Sequence, residues 1–306
     1  MKILVTGSSG MVGSGFIRHF ENNKMNQIFA PKRAELDLRS KSSVLSYFDS
    51  VRPNLVYLIA AKVGGIQANI DSPGEFIYDN LMIQSNLIEA SRVYEVDKVI
   101  FLGSSCIYPR NCRQPMREED LLTGHLEPTN EAYAIAKICG IKMLKYYESQ
   151  YGLKSFCGIP CNLYGTNDHF DPRNSHVLSS LVKRFVDAKN ANAPSVEIWG
   201  SGIARREFMH VDDLVDAVMY LQDFHQTSDP INIGTGFDVS IRDLAEMIKN
   251  ESGYSGDLVW DVSKPDGMLR KCMDTTKIVE LGFRPKIDLE TGIRKTIAEY
   301  KATICK

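Results

Sequence analysis

The stretch KILVTGSSGMVGSG, residues 2–15, runs an apolar segment into three glycines, Gly7, Gly10 and Gly13, spaced three apart, and a helical pattern follows from Met11 to about Asn22. Glycine at such a turn permits positive φ, and its missing side chain lets a pyrophosphate approach the N-terminus of the following helix. Gly7, Gly10, Met11, Val12 and Gly13 are therefore candidate dinucleotide contacts. The spacing is Gly-x-x-Gly-x-x-Gly rather than the commoner Gly-x-Gly-x-x-Gly, and a glycine-rich turn kept for close packing is the competing reading.

Working outward, further apolar runs at 27–30, 55–60, 98–103 and 154–160 read as central strands covered on both faces. Between them, residues 75–94 and 131–152 carry apolar residues at helical spacing, and the second stretch ends at Gly152, a usual helix stop. Strand–helix alternation with short connections predicts an α/β fold with a doubly wound parallel sheet of the Rossmann type. After about residue 163 the chain becomes richer in turn formers, with a helix near 177–189, a strand at SVEIWG, and PINIGTG and SIRDLAEMIKNESG as a later strand and helix. This predicts a smaller mixed α/β substrate portion over the strand ends. Residues 1–163, with returning segments near 211–237 and 287–306, are expected to form the nucleotide domain. Residues 164–210 and 238–286 are expected to form the substrate portion.

The 306 residues suffice for a large core, and the net charge of −2 gives no reason to expect nucleic acid or an acidic membrane surface as partner. No apolar run approaches the length of a membrane helix, and the N-terminus reads as a strand, not a signal peptide, so a cytoplasmic protein is expected. The seven cysteines have irregular spacing and no Cys-x-x-Cys; reduced thiols and no structural metal are expected.

Three further signals carry chemistry. Lys32 and Arg33 follow the second strand, where NAD-binding folds often place an acid on the ribose, so a 2′-phosphate and hence NADP(H) is the expected cofactor. Two solvated surface cations are the alternative, and Asp37 lies far enough on to reach the adenine. Tyr133 and Lys137 share a helix face at i, i+4. An ammonium one turn from a phenol is expected to lower its pKa and make proton exchange with a carbonyl feasible. Finally, GSSCIYP (103–109) follows the apolar run KVIFL. If it stays extended, Ser104, Cys106 and Tyr108 share one side, Ser104 bonding a substrate oxygen and Cys106 reaching the neighbouring carbon.

With these residues in view, the chain resembles the extended short-chain dehydrogenase/reductase superfamily and, within it, the GDP-L-fucose synthase family. The resemblance runs end to end and rests on AAKVGGIQAN (60–69), GSSCIYP, LEPTNEAYAIAK (126–137), CNLYGTNDHF (161–170), NSHV (174–177), WGSGIARREFMHVDD (199–213) and SKPDGMLRK (263–271). It implies NADPH-dependent 3,5-epimerisation and 4-reduction of a GDP-4-keto-6-deoxyhexose, giving GDP-L-fucose. Ser104, Tyr133 and Lys137 would form the reductase triad, with Cys106 and His176 moving protons at C3 and C5. Ala60 and His176 would join the cofactor contacts.

The same resemblance implies Asn162, Arg184, Trp199, Arg206 and Lys271 as substrate contacts, and a homodimer built on the helices at 75–94 and 131–150. Asp266 and Lys271 are also explained by a surface turn. Ser8 and Ser9 stand where some relatives carry a cation, so the NADP expectation rests on Lys32 and Arg33. Cys161 and Thr166 depart from the commoner pattern and carry no expected catalytic role. Two alternatives stand beside this reading: a sister enzyme on another GDP-4-keto sugar, of the colitose or heptose kind, and a non-catalytic NADP-binding regulator.

Overall fold

In the computed structural model of the chain, residues 1–21, 26–171, 175–225, 227–264 and 266–304 are described. The elements in order are β1 (Lys2–Thr6), α1 (Met11–Glu21), β2 (Gln27–Phe29), α2 (Lys41–Val51), β3 (Leu55–Leu58), α3 (Ile66–Asp71), α4 (Pro73–Val93), β4 (Lys98–Leu102), α5 (Glu131–Tyr151) and β5 (Ser155–Pro160). Then come β6 (Asn162–Tyr164), α6 (Val177–Asn190), β7 (Ser195–Trp199), β8 (Arg205–His210), α7 (Val211–Phe224), β9 (Ile231–Ile233), β10 (Asp238–Ser240), α8 (Ile241–Ser252), β11 (Asp257–Asp261), β12 (Arg270–Lys271), α9 (Thr276–Glu280) and α10 (Leu289–Ile304). Asn22, Asn174 and Cys305 lie outside the described residues.

The main sheet has the order β2-β1-β3-β4-β5-β9 and every pair in it is parallel. Strands β1, β3, β4, β5 and β9 are buried on both faces, as their continuous apolar sequences require, and the edge strand β2 is only partly covered. Helices α1 and α7 pack together, and α5 packs on α4, which also meets α2. This is the doubly wound arrangement, whose ligands bind at the carboxyl ends of the strands. Gly140 lets α5 lie close to the sheet: a Cβ there would stand 2.7 Å from the Phe101 ring and 2.8 Å from Gln84 Oε1. Because α5 carries Tyr133 and Lys137, that contact fixes the depth at which both side chains sit.

The smaller portion has its own core, formed by Leu181, Phe185, Ile198, Phe208, Leu244 and Ile248 among others. Its four-stranded sheet centres on β8, flanked by antiparallel β10 and parallel β12, with β6 pairing β8 as well. Strands β11 and β7 form a separate parallel pair. The chain passes between the two sheets at Cys161, whose N–H still bonds Ile233 of the main sheet.

Two boundaries differ from the sequence expectation. Helix α10 does not return to the nucleotide domain: Ile293, Ile297 and Tyr300 pack into the second core, against α6 and α8. Conversely Met273, Ile278 and Phe283, expected in the substrate portion, pack into the main core. Helical periodicity shows that a face is apolar without showing which core takes it. Among the described residues no helix is long and apolar enough to cross a membrane. No group of acidic, histidine and cysteine side chains there could hold a metal ion, and the six described cysteines are free thiols.

Candidate active site

The end of β4 opens the site. Ser104 is still extended, at φ −159° and ψ 146°, but Ser105–Ile107 then coils into one turn of 3-10 helix. The Ser104 hydroxyl caps that turn, accepting from the Cys106 N–H at 3.3 Å. The expected alternation therefore fails. Tyr108 is buried, and its hydroxyl donates to Asn232 Oδ1 at 2.5 Å, inside the core. Ser104 and Cys106 still lie together, because a capping serine bonds the backbone two residues ahead.

Helix α5 brings Tyr133 and Lys137 to the same strand end. Lys137 is buried and donates to the Leu102 carbonyl at 2.9 Å. Its ammonium lies 4.8 Å from the Phe101 ring centroid and 5.9 Å from that of Tyr133. Burial brings its pKa down to about 8. The phenol of Tyr133 does not follow the sequence expectation. Burial raises its pKa, the neighbouring Cys106 charge raises it further, and the Ser104 hydrogen bond only partly opposes them. Tyr133 is thus held as a neutral phenol, the form that can give up a proton to an oxygen.

Cys106 is half-buried among donors. Its sulfur lies 3.2 Å from Lys271 Nζ and 3.3 Å from Asn130 Nδ2. Burial alone would raise the thiol, but the Lys271 charge, hydrogen bonds from Ser104 and Lys271, and the Arg206 charge together bring it below its ordinary value. Lys271, which the resemblance implies as a substrate contact, has its ammonium on the thiol. His176 immediately precedes α6 and is exposed. Desolvation by the surrounding protein lowers its pKa, and Lys271 and His169 add to that while Asp168 opposes it. Asp168 is fixed by a hydrogen bond from Ser179. The Lys271 charge bears on both Cys106 and His176, lowering the pKa of each.

The other side of the strand ends fits a dinucleotide. Gly7 has φ +71°, and a Cβ on Gly13 would stand 2.1 Å from the Gly7 carbonyl oxygen. A Cβ on Gly7 itself would meet Ala60 Cα at 2.8 Å. The loop from Gly7 to Gly10 closes tightly, with Gly10 N–H bonding Gly7 O at 3.1 Å. It leaves Met11, Val12 and the rest of the first turn of α1 free of acidic side chains. Arg33 is exposed in the turn beyond β2, whereas Lys32 is tied by its backbone to Glu35. Asp37 is occupied by Arg39, which bonds it at 3.0 and 3.1 Å and reaches Asp79.

Toward the smaller portion, Trp199 is 52% exposed. Arg184 and Lys264 lie 5.8 and 5.3 Å from its ring centroid. Arg206 donates to the backbone carbonyls of Met268 and Asp266 at 2.5 and 3.2 Å. Asp266 is fastened to the backbone and hydroxyl of Ser201, at 2.8 Å each. Asn162 donates to the Glu207 carbonyl at 2.7 Å, its amide serving β8. Sequence reading missed Asn130, Asp168, Lys264 and Glu207. Asn130 lies one turn ahead of Tyr133, a spacing that could have found it; its Oδ1 is buried without a partner, as a site for a sugar hydroxyl would be.

Relatives carry the same architecture. The chain is 46% identical to a protein named GDP-L-fucose synthase from Escherichia coli, covering 96% of this chain and 95% of that protein. It is 47% identical to GDP-L-fucose synthase 1 of Arabidopsis thaliana, with 99% and 94% covered. Among solved structures, MlghC, a GDP-mannoheptose C4 reductase from Campylobacter jejuni with NADP bound, superposes with a TM-score of 0.89 at 37% identity over 98% of each chain. The sequence pattern of the NAD dependent epimerase/dehydratase family matches residues 3–234. With the glycine cradle, the Ser104–Tyr133–Lys137 constellation and this match together, the chain belongs to the NAD dependent epimerase/dehydratase family.

Proposed function

We propose that the protein is an NADPH-dependent oxidoreductase with epimerase activity, which inverts C3 and C5 of a GDP-4-keto-6-deoxyhexose and reduces C4 to give GDP-L-fucose. The observation that carries this reading is that a half-buried thiol with a cation on it stands beside a reductase triad at one strand end. A simple reductase has no use for the first; a simple epimerase working by carbon acidity has no use for the second. The names of the relatives at 46 and 47% identity support the sugar and the nucleotide.

NADPH supplies the hydride when bound, with Gly7, Gly10, Met11, Val12, Gly13, Ala60 and Arg33 as its binding residues and Lys137 against the ribose. The C4 ketone acidifies the hydrogens on C3 and C5. Cys106 takes a proton from carbon; the C–H bond breaks, an S–H bond forms and the electron pair moves to the carbonyl oxygen. Ser104 and the neutral Tyr133 donate to that oxygen, stabilising the enolate. His176, exposed to solvent, takes up a proton there and returns it to the opposite face, and Cys106 gives its own proton up to solvent before the second carbon is inverted. Tyr133 then gives its proton to the C4 oxygen during reduction. Asn162, Arg184, Trp199 and Arg206 hold the nucleotide and sugar, arginine matching phosphate oxygens in pairs.

The exposed Tyr78 and Val93 of α4 and Ile135 and Tyr146 of α5 support a homodimer through these helices, and the free thiols support a reducing, cytoplasmic setting. The test is to offer the purified protein NADPH with each of several GDP-4-keto sugars and identify products by NMR. GDP-L-fucose from GDP-4-keto-6-deoxymannose is expected. A heptose or 3,6-dideoxyhexose turned over in its place would transfer the assignment to a sister enzyme.

A further inference from the structure

Lys271 lies 165 positions from Cys106 in sequence, yet its ammonium is 3.2 Å from the sulfur. Several buried groups fix the short strand that carries it. Arg270 and Arg205 share the buried carboxylate of Asp238, the first at 2.6 Å and the second at 2.5 Å. Lys271 pairs with Arg206 in the register of β12 on β8. The N–H of Cys272 donates to Gln114 Oε1 at 3.0 Å, and that of Met273 to buried Glu207 Oε2 at 2.8 Å. The other oxygen of Glu207 accepts from Thr235 and Gly236 at 2.6 and 2.8 Å. Lys271 itself is only 9% exposed. A lysine held this firmly beside a sulfur, on a scaffold tied at four consecutive residues, has little freedom to follow a sugar.

We propose that Lys271 is a positioning residue for the epimerisation base: it pairs with the Cys106 sulfur as a fixed counter-charge and aims it at the carbon acid, instead of contacting the substrate. The proposal rests on the function given above. Three kinds of group face the sulfur. Lys271 from β12 and Arg206 from β8 are cationic, and Ser104 and Asn130 are neutral donors; Tyr133 from α5 is a neutral phenol whose own ionisation the thiolate resists. The sum favours the thiolate relative to an unassisted thiol. When Cys106 takes the proton from carbon, S–H forms and the enolate carries the negative charge. Lys271, 3.2 Å from the sulfur, stays close to the new anion.

The test uses the full chain and reads the sulfur directly. Iodoacetamide alkylation of Cys106, followed on its own peptide by mass spectrometry across neutral pH, is compared with that of free N-acetylcysteine. Cys106 is expected to titrate below the free thiol in the wild type. Lys271→Met should slow its alkylation at neutral pH by about tenfold or more, since an unassisted thiol is only a few per cent ionised there. Lys271→Arg should restore most of the rate. Cys106 titrating like the free thiol in the wild type would overturn the proposal whether or not the variants fold. So would a Lys271→Met protein that binds NADPH normally and keeps the wild-type pH profile while its KM for the sugar rises, the signature of a substrate contact. An intact low titration without any proton exchange on GDP-keto sugars would overturn the function and leave the ion pair standing.

Discussion

Lys137 Nζ donates a 2.9 Å hydrogen bond to the carbonyl of Leu102, so the helix that carries Tyr133 is fastened to the strand end that carries Ser104. The three side chains proposed for reduction are thereby set by one buried contact. The ammonium forgoes water to make it, and its pKa falls to about 8.

A consequence is an alkaline limit on activity. As pH rises through about 8 the free protein loses the Lys137 charge, and kcat/KM for NADPH oxidation should fall, since that ratio reports ionisations of the free enzyme. Lys137→Arg should shift this limb upward because guanidinium does not titrate there. Lys137→Met should lower kcat by ~10²-fold or more. A steady-state pH profile checks all three.

Carbon and oxygen chemistry should separate by mutation. Cys106→Ser should suppress proton exchange at C3 and C5 by ~10²-fold or more, the usual worth of a positioned base. Tyr133→Phe should leave most of that exchange and lower NADPH consumption by a similar factor. Isotope incorporation followed by NMR, beside cofactor oxidation, reads the two in one sample.

Arg33 is exposed and stands beyond β2, where a 2′-phosphate would lie. Arg33→Ala should raise the KM for NADPH about tenfold or more, the loss expected of a charged hydrogen bond, and leave that for NADH nearly unchanged. Parallel initial-rate measurements with both cofactors decide it.

Glu207 ties β8 to the segments carrying Gly236 and Met273, and burial raises its pKa to about 7. The folded value lies above the ordinary carboxyl value of 4.5. The unfolded chain therefore releases the proton first, and this group subtracts stability as pH rises from about 4.5 to about 7. Glu207→Gln should flatten that slope. It should also lower stability by about 1–3 kcal/mol, because an amide offers one acceptor oxygen to donors that now use two. Urea denaturation at several pH values tests both.

Much of this was legible in sequence. The glycine spacing before α1 marks the turn because only a residue without a side chain fits against Gly7 O. The i, i+4 pair in α5 was legible because helical geometry fixes which side chains are neighbours. Strands β1, β3, β4 and β5 were legible as continuous apolar runs. The turn at Ser105–Ile107 was not, because extended alternation carries no signal for where it stops. Neither was the partnership of Lys271 with Cys106, which depends on Asp238, Glu207 and Gln114 holding a two-residue strand in place. The raised pKa of Tyr133 likewise follows from burial and a nearby sulfur, which spacing along a helix does not show.

Whether one site both inverts carbons and reduces a ketone is decided by running the reaction in heavy water with GDP-4-keto-6-deoxymannose and NADPH, then locating deuterium in the product by NMR. The prediction is GDP-L-fucose with deuterium at C3 and C5 and the hydride hydrogen at C4. A C4-reduced sugar with unlabelled, uninverted C3 and C5 would contradict it.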